Sequence, residues 1–202
     1  DTIAYARGLT ADELADRLVP TLGLEEDGAN KLDFGARSFE IVFGEDLLPK
    51  VKDADGKLHA DLPKPNKSDD KDLAKVAKTR LSALKKDARM TASLQIARME
   101  RAMRTMRPIA GSVFLTCFAT HPWMSHLARR FVWGAFPSQD ALTSSSRGDG
   151  ASKTTIKTFR VAEDGSLADI EDQPFTLTPE SVVVLLHPLA IAKEELERWG
   201  QI

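Results

Sequence analysis

The alternation of apolar and polar positions divides this chain into recognisable elements. Thr10-Ala11-Asp12-Glu13 is a capping box, in which Thr10 and Glu13 each satisfy a free N–H of the other. It opens a short helix carrying Leu14, Leu18 and Val19, which Pro20 and Gly23 end. Three short runs come next, 30–34, 37–43 and 48–52, separated by turn signals. Phe39, Ile41 and Phe43 fall on one side of the second run. With Asp27-Gly28 and Asp55-Gly56 as turns, the pattern predicts an antiparallel meander over residues 30–60.

Pro63-Lys64-Pro65-Asn66-Lys67-Ser68 reads as a linker, and Ser68 or Asp69 as the N-cap of a helix beyond it. From there to Arg107 the spacing is helical. Leu73, Ala77, Leu81, Leu84, Ala88, Ala92, Met99, Ala102 and Met106 form the apolar stripe. A continuous helix here is roughly 55 Å long at 1.5 Å per residue. That is longer than a domain of this size is wide, so a break is expected near Thr91-Ala92-Ser93. Residues 112–120 and 123–130 read as helices separated by His121-Pro122, and 131–136 as a strand. Pro137 to Lys153, with Ser144-Ser145-Ser146 and Gly148-Asp149-Gly150, reads as a mobile loop, and 155–161 as a half-buried strand turned back at Asp164-Gly165.

The C-terminal pattern is the strongest. Val182 to Leu186 is an unbroken apolar run, the signature of a strand buried on both faces. His187-Pro188 stops it, proline suits the first turn of a helix, and an amphipathic helix continues to Trp199. The expected fold is α+β, or mixed α/β. It has a small antiparallel meander, a long basic helical segment and a second, mixed sheet with strand–His-Pro–helix units. One domain over 1–202 is expected, with 1–62 and 69–202 as subdomains. Asp1 and the stop at Ile202 suggest a fragment of something longer.

Composition changes this picture only in places. At 42% hydrophobic residues the chain can bury a core. No segment approaches the roughly 20 apolar residues needed to span a bilayer. The N-terminus lacks a basic-then-apolar secretory pattern, and the single Cys117 excludes a disulfide framework within the chain. The expectation is a cytoplasmic protein without membrane contact. The net charge of −2 conceals an asymmetry. Between Lys71 and Arg107 there are eleven basic and three acidic residues, while the rest carries a net −10.

A set of local signatures carries a resemblance. Leu32-Asp33-Phe34-Gly35, Arg37-Ser38-Phe39 and Asp61-Leu62-Pro63-Lys64-Pro65 come first. Leu84-Lys85-Lys86-Asp87, Met99-Glu100, His121-Pro122 and Leu127-Ala128-Arg129-Arg130-Phe131-Val132-Trp133-Gly134 come next, then Phe159-Arg160-Val161 and Leu186-His187-Pro188-Leu189. Over nearly its whole length the chain resembles the uncharacterised bacterial domain numbered four-one-three-two among the domains of unknown function. The resemblance implies a large protein, some of whose kind carry a WGR domain and the label molybdate metabolism regulator-like. It brings no catalytic residues with it.

Candidate chemistry is sparse. Cys117, His121 and His126 include an i, i+4 pair, the spacing of two metal ligands on one helix face. Pro122 disturbs that geometry and no further Cys or His pair completes four ligands, so no metal and no cofactor are expected. His187, at a strand end before a helix, and His121, in the same His-Pro grammar, are candidates for a general base near neutral pH. The structural alternative is that each histidine caps the turn after it. The turns carry neither a calcium loop nor a phosphate loop.

The basic helix face is the remaining candidate. Lys71, Lys75, Lys78, Lys85, Lys86, Arg89, Arg104 and Arg107 lie opposite the apolar stripe and could neutralise phosphates. A merely solvated face, or docking on the acidic remainder of the chain, competes with that reading. The helix carries no aromatic for base stacking. The leading expectation is a non-catalytic interaction or regulatory module, whose partners are other domains of the same polypeptide or other proteins. The alternatives are a nucleic-acid-associated module using the basic face, and an enzyme domain using a strand-end histidine.

Overall fold

The computed structural model describes residues 8–24, 30–44, 46–146 and 156–200. Two compact units share the chain, one formed by residues 20–95, the other by residues up to 19 together with those from 96 onward. A single helix belongs to both.

In the 20–95 unit, β1 (Lys31–Asp33), β2 (Ser38–Phe43), β3 (Pro49–Lys52) and β4 (Leu58–His59) pair in sequence order. Every pairing is antiparallel, with Leu32 opposite Phe39 and Ile41 opposite Val51. This is the expected meander, extended by a two-residue strand. Gly56 makes the β3–β4 turn at φ +80°, a conformation that glycine adopts without a Cβ penalty. Asp27-Gly28 lies outside the described residues. Leu32, Phe34, Phe39, Ile41 and Val51 form the apolar side of the meander, and the helix α2 (Lys71–Thr105) covers it with Ala74, Ala77, Leu81 and Leu84.

α2 is continuous over 35 residues. The expected break at Thr91–Ser93 does not occur. Residues 71–95 serve one unit and 96–105 the other, so the helix need not fit within one unit's width. Asp70, rather than Ser68 or Asp69, caps it, its carboxylate accepting from the N–H groups of Asp72 and Leu73 at 2.8 and 3.0 Å. The buried stripe runs through Ala74 and Thr91, while Leu73, expected inside, is 40% exposed.

The second unit begins with α1 (Ala11–Arg17), whose capping box is intact: Thr10 N–H donates to Glu13 at 2.7 Å and Glu13 N–H to Thr10 Oγ1 at 3.1 Å. Val19 is buried as expected, but Leu18 is exposed and Asp16 takes the inward position. After α2 come β5 (Ile109–Ala110), α3 (Gly111–Phe114), a π-turn over Leu115–Ala119, α4 (Met124–Ala128), β6 (Trp133–Phe136) and α5 (Gln139–Ser146). The chain continues through β7 (Lys157–Val161), β8 (Leu167–Ala168), β9 (Val182–Leu185), a 3-10 turn over Pro188–Ala190 and α6 (Lys193–Trp199). The segment expected as a loop from Pro137 thus contains α5, and its remainder, with Gly148-Asp149-Gly150, lies outside the described residues.

The five-stranded sheet has the order β5-β9-β6-β7-β8. Its pairings are antiparallel, not mixed, so β9 does not lead into a parallel crossover. The helix after Pro188 is first a single 3-10 turn, and α6 starts only at Lys193. His121-Pro122 comes after the π-turn rather than a strand. β9 is buried on both faces, as its composition requires. One side of the sheet holds Trp133 and Phe159 against Phe114, with ring centroids 4.8 and 5.5 Å away. The other holds Phe136, Val182, Val184 and Leu186 with Leu142 and Ile191. Gly134 lies between these layers: a Cβ there would come within 2.9 Å of Ile156 and 3.0 Å of Leu186. The fold is α+β.

Candidate interaction site on the long helix

The outward side of α2 carries two stripes. The first is basic. Lys71, Lys75, Lys78, Lys86, Arg89 and Arg104 are exposed, and none has a carboxylate partner among the described residues. The other two expected members are engaged. Lys85 binds the carboxylate of Asp61 and the carbonyl of Ala60. Arg107 lies past the helix end and donates to Asp16 at 2.8 and 3.1 Å.

The second stripe is apolar, and the sequence pattern does not separate it from the core stripe. Val76, Met90 and Leu94 are 64%, 64% and 60% exposed, and Ala83 and Ala97 continue the same heptad spacing. At 100° per residue these positions form a ridge beside the basic stripe and away from the buried one. Such side chains on one helix are more than isolated exposed apolar residues. Their signal is the spacing Val76-x6-Ala83-x6-Met90-x6-Ala97, hidden by the stronger core period.

At the start of α2, Lys71, Lys75 and Lys78 meet Lys64 of the linker around a recess of ≈ 280 Å³. Its floor includes Phe34, Leu62 and Ala74. Lys64 is not among the expected site residues, because the recess exists only once the linker is folded back. Arg37 secures that linker. It donates to Lys64 O at 3.3 Å and to the Asp69 carboxylate at 2.6 and 3.1 Å. Asp69 also accepts from Asn66 N–H at 2.7 Å. The Arg37 hydrogen bonds hold the Asp69 carboxyl below the usual carboxylate range.

The candidate histidines sit elsewhere. His121 Nδ1 accepts from the N–H groups of Trp123 and Met124 at 3.2 and 3.0 Å, which leaves its Nε2–H to donate to Val19 O at 3.1 Å. His187 is exposed, and its Nδ1 accepts from Leu189 N–H at 3.1 Å. Both histidines therefore cap the turns after them. His126 lies half-buried beside Arg129; burial first, and the arginine second, hold its pKa below the usual imidazole range. Cys117 contacts Thr116 Oγ1 at 3.6 Å. Among the described residues, no three His, Cys, Asp or Glu side chains are grouped to hold a metal ion. No helix among them is long and apolar enough to cross a membrane.

Comparison with known proteins places the chain. No solved structure matches it. It is 34% identical over 200 residues, 99% of its own length, to a protein of Escherichia coli (strain K12) named Uncharacterized protein YehI. It spans only 16% of that protein's length. Residues 56–202, which include the basic helix and the five-stranded sheet, match the family described as Domain of unknown function (DUF4132), and the chain belongs to that family.

Proposed function

We propose that this chain is a non-catalytic interaction module of a large bacterial cytosolic protein, and that the exposed ridge of α2 receives an amphipathic helix with acidic flanks from elsewhere in the same polypeptide. The observation that carries this reading is the pairing of Val76, Met90 and Leu94 with the unpaired cations Lys86 and Arg89 alongside them. An apolar ridge recognises an apolar stripe, and the cations select acidic rather than basic flanks. A second copy of this helix would set lysine against lysine, so charge disfavours self-association through this face. This chain spans 16% of the YehI relative's length, so a polypeptide of that kind has ample chain outside this module to supply such a helix.

The reading is tested by photocross-linking from positions 90 and 94 within the intact long polypeptide. Cross-links to an acidic amphipathic helix of that polypeptide are expected. Cross-links to a different protein would move the partner in trans, and their absence would contradict the docking role.

Nucleic acid is the second reading, favoured by the row of exposed helix cations that have no carboxylate partner among the described residues. It requires duplex affinity that falls steeply with salt. Gln at Lys75, Lys78 and Lys86 should then flatten the salt slope. The ridge of apolar side chains beside those cations ranks this reading second. A regulatory role of the molybdate type rests on the family resemblance alone. Catalysis at His187 or His121 gains no support, since each gives its Nδ1 to backbone capping.

A further inference from the structure

We propose that the recess at the start of α2 is a phosphoryl-binding site, held by Lys64, Lys71, Lys75 and Lys78. Its lining contains four lysines and no carboxylate. Four lysine side chains line this recess of ≈ 280 Å³, so an anion seated in it would meet positive charge from several sides. Their position sharpens the point. Lys71 opens a 35-residue helix, in the first turn where the macrodipole presents partial positive charge, and Lys75 and Lys78 follow on the same face. Cations are disfavoured there and anions favoured.

The recess is also built in advance. Lys64 stands between two prolines, which restrict its backbone. Its carbonyl is held by Arg37, and Arg37 by Asp69, whose side chain is wholly buried. The three helix lysines share a rigid face. Lysine heads on flexible stems can converge on a tetrahedral oxyanion from several sides. Four charges exceed what a single carboxylate would balance, which points to a phosphate monoester or diphosphate. Leu62, half-buried at the recess, leaves an apolar surface next to that phosphate. Phe34 is 1% exposed, so base stacking on its ring is not offered. The phosphoryl group has two sources, a free phosphorylated small molecule or the backbone of a nucleic acid.

Inorganic pyrophosphate is the probe. Titrated calorimetrically into the chain at low salt, it should bind at one site. The Lys75→Gln/Lys78→Gln variant should weaken that binding by about tenfold or more, as expected for lost charge-assisted contacts. The Lys86→Gln/Arg89→Gln variant, outside the recess, should stay within about twofold. All four positions are solvent-exposed, and unchanged melting curves of both variants will show that folding is not at issue. A duplex oligonucleotide that displaces pyrophosphate assigns the nucleic-acid source, and one that does not assigns a small molecule. No pyrophosphate binding, or binding equally reduced by both variants, overturns the site.

Discussion

Asp16 Oδ2 accepts a hydrogen bond from Arg107 Nη1 at 2.8 Å, and its Oδ1 accepts another from Arg98 at 2.6 Å. The carboxylate is 1% exposed. Two guanidinium groups, one near the end of α2 and one just past it, thus clamp one buried aspartate of α1, and Arg98 also donates to the carbonyls of Asp12 and Ala15. Counting cations along a helix overstates the free positive charge it presents, because some of them neutralise buried acids.

Removing that carboxylate should cost the chain dearly. Asp16→Ala leaves two partly buried arginines without their counter-charge, and breaking such a pair typically costs about 3–5 kcal/mol. Urea unfolding measures it. A loss below about 1 kcal/mol would mean that water replaces the carboxylate without penalty.

Stability should fall on mild acidification through His126. Its pKa is lowered in the folded protein, by burial and then by Arg129. An unfolded imidazole titrates near about 6.5. Below that pH the unfolded chain binds more protons than the folded one, so acid favours unfolding until the folded pKa is reached. Melting temperatures measured from pH 7.5 to 5 should decline, and His126→Gln should flatten the decline. An unchanged slope in the variant would remove His126 from the pH response.

The elements legible in the sequence are those with a single strong period. Val182–Leu185 is one, because a strand buried on both faces needs apolar residues at every position. The Thr10–Glu13 box is another, since its hydrogen bonds are local. Partners distant in sequence are not legible. Asp16 resembles any surface acid of a short helix until Arg98 and Arg107 meet it. The outer ridge of α2 is hidden because two apolar stripes on one helix interleave, and the denser one, through Ala77, Leu81 and Leu84, sets the period that is noticed. Lys64 reads as linker because its role comes from the fold around it.

Core substitutions should separate packing from polarity. Leu185 is wholly buried in β9, and Leu185→Ala should cost about 2–5 kcal/mol by cavity formation. Trp123 is equally buried, but its indole N–H has no hydrogen-bond partner among the described residues. Trp123→Phe removes an unsatisfied donor along with some volume, so its cost should stay below about 1.5 kcal/mol. Denaturant midpoints for the two variants test the contrast. A loss for Trp123→Phe as large as that of Leu185→Ala would show that the indole N–H is satisfied.

The outer ridge should be silent in the isolated chain. Met90→Gln with Leu94→Gln changes exposed side chains and keeps helix propensity, so stability should move by no more than about 0.5 kcal/mol. A larger loss, read from the melting curve, would mean that these residues already pack within the chain.

Hydroxyl-radical footprinting of Met90 tests the docking role most directly. Met90 is 64% exposed, so in the isolated chain its thioether should oxidise as fast as a free methionine. In the long polypeptide proposed above the same residue should be protected severalfold, and Lys86→Glu with Arg89→Glu should abolish the protection by reversing the flanking charge. Equal oxidation of Met90 in the isolated chain and the intact polypeptide would contradict an occupied ridge.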